Sequence, residues 1–502
     1  MINCHKEPKQ GWIPLIKKQE GILINNHISK NRTKISGYGG VYPIPLYTKP
    51  FLCGGECFFC PNAKGIPKSY LRNIDTEYAE SVRFSPKKQL ERFLAQIPGV
   101  SEAKGIPLEI IILGGSFCAL TREYRLSFIE ELYNAISLVH ESAHGPRSRL
   151  LCSILSVESR PDQINEKECL FLKELGVSKI EIGVQHTNDE ILKFNNRNHS
   201  LSDVIKATEL MKSFGFKVGY HIMLGLPGSN KSEDAVMMKS RLWESDLSPD
   251  FLKIYPCELL KPKELQPFLW SLYDSNQWKT LTREYIINLL NECISNIPRY
   301  VRIQRIMRQF PKTMTIGEHL ENVHERYYGR CKCIRCREAG KKAARKSIEQ
   351  LGTLYLRKTE NCRDTYFEIN TIDDTLVALA RVFTNDSDTH IVRELHVYGV
   401  ARHLKTPGLV QGNGIGTTLL NEIEKTFLSC SSSKILINAA MGAKGFFLKR
   451  GYKLSSDTYL IKYYGENKEN SCLSTQSRLN QMSPDNAIRS FLHDYRSSSR
   501  SC

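Results

Sequence analysis

Between about residues 80 and 310 the hydrophobic positions fall in short unbroken runs, separated by longer amphipathic stretches. LEIIILGG (108–115), LLCSILSVES (150–159), KIEIGVQ (179–185), KVGYHIMLGLPG (217–228) and FLKIYPC (251–257) are rich in Ile, Leu and Val. Runs of this length predict strands buried on both faces. Between them, SLSDVIKATELMKSFGF carries Ile205, Leu210, Met211 and Phe214 at helical spacing. Strand–helix alternation predicts an α/β architecture with a parallel sheet, open or closed into a partial (β/α) barrel. Ligands in such folds gather at the carboxyl ends of the strands. Gly114, Gly115, Glu158 and Gln185 end these runs and are expected on one rim.

The pattern then changes. CKCIRC (331–336) opens a basic stretch that runs to about residue 346 and reads as a linker or a small metal-held knuckle. From about 351 to 465, TLVALARVF and RELHVYGVA read as strands of a mixed sheet. QGNGIG (411–416) follows, opening a helix with Leu420, Ile423 and Phe427 on one face. From 466 the chain is rich in Ser, Asn and Lys, with one weak helical patch at 487–491, which predicts disorder or loose docking. The expected division is therefore 1–79, 80–310, 311–350, 351–465 and 466–502. No internal repeat is evident.

Composition narrows the function. A chain of 502 residues has room for several domains. It has no apolar run of membrane-spanning length, and MINCHKEPKQGWIP lacks the apolar region of a signal peptide. The expectation is an intracellular, cytoplasmic protein with no membrane partner. A net charge of +17 favours a polyanionic partner, nucleic acid first. NNHISKNRTK (25–34) is a candidate phosphate-contacting arm or, equally, a solvated basic tail. Sixteen cysteines in such a protein argue for metal or reactive chemistry over disulfides.

Six of those cysteines form two clusters. Cys53, Cys57 and Cys60, in PFLCGGECFFCP, have the spacing C-x3-C-x2-C. A structural zinc would need a remote fourth ligand. An iron–sulfur cluster normally takes four cysteines, and three on a four-iron cluster would leave one iron open to a small molecule. Cys331, Cys333 and Cys336 suit zinc but likewise lack a fourth ligand in the sequence around them. At Gln411, Gly412, Asn413, Gly414, Ile415 and Gly416, successive backbone N–H groups at a glycine-rich helix start suit a pyrophosphate. Many helices start with glycine for turn geometry alone.

With the barrel pattern behind it, the first triplet resembles the signature of radical SAM enzymes. Gly114-Gly115 resembles that family's contact to the methionyl amine. Glu158 and Arg160, in SVESRPD, resemble its polar pair near the SAM ribose and carboxylate, and Gln185 another cofactor-facing strand end. The resemblance implies a [4Fe-4S] cluster whose open iron chelates SAM, cleaved on reduction to a 5′-deoxyadenosyl radical. RELHVYGVA, QGNGIG and KILINAAMGAKGFFLKRGYKL together resemble the GNAT acetyltransferases. By that resemblance Glu394, Leu395, His396 and Val397 contact the acyl arm of acetyl-CoA, and 411–416 hold its pyrophosphate.

The pairing of the two, with RELHVYG, CKCIRC and SYL (69–71), resembles the catalytic subunit of Elongator and its single-chain counterparts over roughly residues 30–465. That resemblance implies a radical SAM barrel, a zinc linker on Cys331, Cys333 and Cys336, and a GNAT α+β domain. It further implies formation of 5-carboxymethyluridine at the tRNA wobble position, the acetyl methyl carbon adding to C5 of uridine before the thioester is hydrolysed. The implied partners are the tRNA anticodon loop, an electron donor, and either a homodimer or an Elongator-like assembly. Lys253, Gln304 and Arg305 lie in segments resembling the family and face either substrate or ordinary packing. Two positions depart from the pattern. The family carries a Tyr-Tyr pair where this chain has Phe446-Phe447, so Phe447 stands where a catalytic-site tyrosine is expected. Pro107 occupies a position often held by an acetyl-CoA lysine. Two other readings compete: a protein lysine acetyltransferase using the GNAT module alone, and a tRNA-binding scaffold with decayed sites.

Overall fold

The computed structural model describes residues 13–16, 39–97, 106–142, 150–307, 310–318, 324, 330–340, 354–399, 412–428, 434–455 and 459–463. The basic segment 25–34, the tail from 466 and Gln411 lie outside these residues. The first strand, β1 (Ile13–Ile16), belongs to the second of two large sheets. The first large sheet is all parallel. It is built from β2 (Tyr42–Tyr47), β3 (Ile106–Leu113), β4 (Leu150–Ser159), β5 (Lys179–Gln185), β6 (Lys217–Leu224) and β7 (Phe251–Pro256). After the short β8 (Leu259–Leu260), β9 (Arg302–Ile306) completes it, in the order β2-β3-β4-β5-β6-β7-β9. A two-residue β10 (Thr315–Ile316) pairs with β8.

The five runs expected as strands are β3 to β7. The helices between them bury one face each. Leu201–Ser213 starts at a Ser200 capping box and buries Val204, Ala207 and Met211 against the sheet. The parallel sheet begins at residue 42 rather than near 80. Its first strand reads YPIPLY, and proline removes a ladder donor, so the sequence alone demotes it. As the edge strand, β2 has its neighbour on one side only and tolerates Pro43 and Pro45.

The second sheet contains β11 (Leu354–Asn361), β12 (Asp364–Asn370), β13 (Leu376–Thr384) and β14 (Thr389–Val397). It continues with β15 (Lys434–Ile437), β16 (Lys453–Leu454) and β17 (Leu460–Tyr463), in the order β1-β11-β12-β13-β14-β15-β17-β16. Leu419, Leu420 and Ile423 of the helix Ile415–Phe427 pack on it. The N-terminal strand β1 pairs antiparallel with β11, so residues 13–16 are part of this sheet and not of a separate arm.

The two sheets meet through buried charge. Asp250, before β7, takes Arg393 in a fork and lies 3.3 Å from Arg381. Arg393 also donates to Asp364 (2.7 Å), which accepts from Lys212 of the barrel (2.7 Å), and Arg381 donates to Glu394 (2.6 Å). Three cations face three carboxylates, so the cluster is neutral as a whole.

Candidate active site

The loop after β2 carries the first cysteine triplet to the carboxyl rim of the barrel. Cys53, Cys57 and Cys60 are in no disulfide and line one cavity of about 610 Å³. Gly54 turns the loop at φ +71, and Gly55 passes so close to Arg160 that a Cβ there would lie 2.8 Å from its Nη1. Five polar side chains hold the loop. Arg160 donates to Cys53 O (2.9 Å), Lys68 to Gly55 O (2.6 Å), Asn198 to Gly54 O (3.1 Å) and Asn196 to Glu56 O (3.0 Å). Arg197 reaches the Cys57 sulfur itself, with Nη1 at 3.1 Å.

Of the rim residues expected from the strand ends, all but Gly114 converge on this cavity. Gly115, Glu158, Arg160 and Gln185 all line it. Gly114 and Gly115 leave β3 at φ +156 and +94, and a Cβ on Gly115 would meet the Lys68 carbonyl oxygen at 2.9 Å. The Gly115 N–H and the Tyr70 hydroxyl both donate to Glu158 Oε2 (3.4 and 2.7 Å). Gln185 sits at φ +67, where a register shift against β6 re-aims its side chain. Arg160 braces the cysteine loop and forms an ion pair with Asp162, so its guanidinium serves the loop as well as the cavity.

Deeper in the cavity, Glu181 gathers Lys179, Lys253 and His221, the last at 2.7 Å. Burial alone would raise the Glu181 carboxyl, but Lys179 and Lys253 outweigh it and hold the group well below the usual carboxylate range. Burial, reinforced by Lys253, lowers His221 and keeps its ring neutral. Lys253, Gln304 and Arg305 line this cavity. Side-chain alternation puts Pro107 on the same face of β3 as Glu109, toward the amino end of the strand.

In the second domain β14 pairs with β15 only from Thr389 to Val392 and continues along β13 to Val397. Beyond Val392 the edge once shared with β15 splays open, and the helix Ile415–Phe427 starts beside the gap. Gly412 and Gly414 adopt φ +89 and +78, and Asn413, Ile415 and Gly416 complete the turn into the helix. A Cβ on Gly416 would touch Val397, Leu395 and Phe446 at 3.4–3.6 Å. Of the four β14 residues expected at the acyl arm, Leu395 and Val397 therefore face the helix start. Glu394 and His396 face the opposite way, because strand side chains alternate. Glu394 is tied to Arg381, and the His396 ring nitrogen meets Gly39 O at 2.6 Å.

The aromatic pair also divides. Phe447 is 5% exposed, packed edge-on against Phe446 and Tyr452 in the core. Phe447, expected at the acetyl site, thus lies in the core, while Phe446 is the ring beside Gly416, with Arg450 stacked on it at 3.6 Å.

Cys331, Cys333 and Cys336 gain the partner that sequence could not name. His324 Nε2 lies 3.6 Å from Cys333 Sγ and 3.3 Å from Cys336 Sγ, and all four ligand atoms fall within 4.8 Å of one another. Tetrahedral zinc with sulfur at about 2.3 Å spaces its ligands about 3.8 Å apart, so a Cys3His set fits the ion. The knuckle touches both domains. Ile334 N–H donates to Val301 O (3.0 Å), and Arg337 donates to Glu368 (2.7 Å) and Asn370 (3.1 Å) of β12.

The first triplet fits an iron–sulfur cluster: three thiols outside any disulfide on one glycine-bearing loop, lining a cavity, with a cationic donor on one sulfur. A fourth cysteine does not line that cavity among the described residues.

Residues 50–239 match the Radical SAM superfamily, and residues 349–461 match the acetyltransferase (GNAT) domain. The chain is 32% identical to the tRNA uridine(34) acetyltransferase of Methanocaldococcus jannaschii, over 91% of this chain and 88% of that protein. It is 27% identical to Elongator complex protein 3 of Schizosaccharomyces pombe, covering 84% and 85% of the two chains. The solved structure of the archaeal Methanocaldococcus infernus Elp3, lacking its N-terminus, superposes with a TM-score of 0.68 at 28% identity. That match covers 84% of this chain and 99% of the other.

Proposed function

The chain belongs to the family of tRNA uridine(34) acetyltransferases and Elongator complex protein 3, and from that premise we propose that it builds a 5-carboxymethyl group on the wobble uridine of tRNA. The observation that carries this reading is one chain holding both halves of the chemistry. A barrel cavity joins the three cysteines to Gly115, Glu158, Arg160 and Gln185, and a splayed strand in the second domain faces a glycine-rich helix start. A [4Fe-4S] cluster with SAM supplies radical initiation when bound, and acetyl-CoA supplies the two-carbon unit.

In this reading the residues divide the work. Cys53, Cys57 and Cys60 hold the cluster, and Arg160, Lys68, Asn196 and Asn198 fix the loop that presents them. Glu158, aligned by Tyr70 and the Gly115 amide, offers its carboxylate to SAM hydroxyls, and Gln185 adds a polar contact across the rim. Leu395 and Val397 line the acyl arm with Phe446, and the amides of the 412–416 turn receive the pyrophosphate. Lys253 and the neutral His221, both on Glu181, form the polar floor on the substrate side. The Cys3His zinc is structural. The positive balance serves a tRNA whose target base is splayed out of the anticodon loop. In this reading the work is cytoplasmic, with an electron donor and a homodimer or Elongator-like assembly as partners. No helix among the described residues is long and apolar enough to cross a membrane.

The test is anaerobic reconstitution with iron, sulfide and zinc, then incubation with SAM, acetyl-CoA, reductant and tRNA. Mass spectrometry of nucleosides should find 5-carboxymethyluridine at position 34. Cluster-loaded, zinc-loaded protein that leaves every tRNA unmodified would overturn the reading. Acetyl-lysine formed on protein without SAM would replace it with the acetyltransferase alternative.

A further inference from the structure

Segment 195–199, NNRNH, has no distinguishing sequence pattern, yet it docks against the cysteine loop at several points. Phe58 N–H donates to Asn195 O (3.3 Å), Asn196 to Glu56 O (3.0 Å) and Asn198 to Gly54 O (3.1 Å). Asn195 is itself anchored, donating to Ile191 O and Pro227 O (both 2.8 Å). These contacts go to backbone. Arg197 differs: its Nη1 lies 3.1 Å from Cys57 Sγ.

The guanidinium has little freedom. Nη2 donates to Gly183 O (2.5 Å) and lies 3.2 Å from His199 Nδ1, and the Phe59 ring lies 6.0 Å from Cζ. His199 Nε2 meets Val184 O at 3.2 Å; a carbonyl can only accept, so Nε2 carries the proton and Nδ1 is left to accept from Arg197. Burial and Arg197 push His199 down to about 3, which keeps that ring neutral. A permanently charged donor is therefore held on one chosen sulfur by groups that are not ligands.

We propose that Arg197 is a positioning residue that sets the reduction potential of the cluster bound at Cys53, Cys57 and Cys60. The proposal rests on the ligand assignment made under the proposed function. A cation and a hydrogen bond at a thiolate sulfur stabilise the more negative, reduced form and so raise the potential. Removing them makes the cluster harder to reduce. The competing account is a loop clamp with no electrostatic role.

The test uses the full chain, reconstituted anaerobically without SAM, as wild type, R197Q, R197K and N198A. Iron content is verified and the midpoint read by EPR-monitored redox titration. R197Q should move the reduction equilibrium at least tenfold toward the oxidised form, which is 59 mV for one electron. R197K, which keeps the charge and loses the fork, should move it less. N198A removes a loop contact without a charge and should leave the midpoint at the wild-type value. An unchanged midpoint in R197Q overturns the proposal, as does an equal displacement in N198A or loss of iron from both Arg197 variants. Wild-type protein that forms no four-iron signal would defeat the ligand assignment instead, and that outcome is visible before any variant is compared.

Discussion

Gly115 is constrained at the rim both by its backbone angle and by a backbone neighbour. Alanine there must adopt φ +94 and place its Cβ 2.9 Å from the Lys68 carbonyl oxygen, a backbone atom that cannot swing aside. G115A should lose about 1–3 kcal/mol of stability in denaturant titration and bind SAM more weakly by calorimetry. At this scale the sequence disclosed residues that end strands and missed residues that reach in from elsewhere. Gly115, Glu158 and Gln185 were legible because strand ends define a rim. Tyr70 and Arg197 come from loops, and their roles depend on contacts 88 and 140 residues away along the chain. His324 was equally hidden, since nothing in EHLENVHER marks one histidine as a ligand. The Phe446-Phe447 motif is visible in the sequence, but which ring stands beside Gly416 is decided by helix phase.

Among elements, the turn into the helix Ile415–Phe427 separates conformation from contact. Gly414 has φ +78, and a Cβ added there would meet nothing within 4 Å, so G414A strains the backbone without a clash. The cost is about 1–2 kcal/mol. If the strain is relieved by re-aiming the turn amides, coenzyme A affinity should fall about tenfold by calorimetry. The zinc knuckle makes a second prediction. H324A should reduce bound zinc from one per chain to near zero by elemental analysis, and chelator should mimic it. β3 to β7 were legible from apolar runs alone, because both faces of each strand are covered. β2 was not, since edge position excuses prolines that a central strand would not tolerate. Nor was β1, whose IPLI is too short to announce its distant partner β11.

For the whole molecule, the junction between barrel and acetyltransferase sheet carries a buried ionic cluster beside apolar contacts such as the Tyr300–Tyr366 stack. Replacing Asp250 by alanine leaves Arg393 and Arg381 without the carboxylate they share. D250A should cost about 3–5 kcal/mol in chemical denaturation. A second junction depends on pH. Burial would raise Glu368, but Arg337 and Arg299 outweigh it and bring the group down to about 2, against an ordinary 4.5. A lowered folded-state value means the stabilisation is present above about pH 4.5 and lost as pH falls toward 2. Thermal midpoints measured stepwise across that window should fall, and the E368Q variant should show a shallower decline. None of this network was legible in sequence, where Asp250, Arg381 and Arg393 are ordinary charged letters in strand-like runs.

The pairing of β1 with β11 has a consequence for how the protein could be taken apart. The acetyltransferase fold is discontinuous: its outermost strand precedes the barrel, and the rest follows it, so the barrel is an insertion between two pieces of one sheet. A fragment cut at the apparent linker near residue 350 would expose the free edge of β11, an invitation to pair with another chain. The two catalytic units are thus spliced in a way that no single cut can undo.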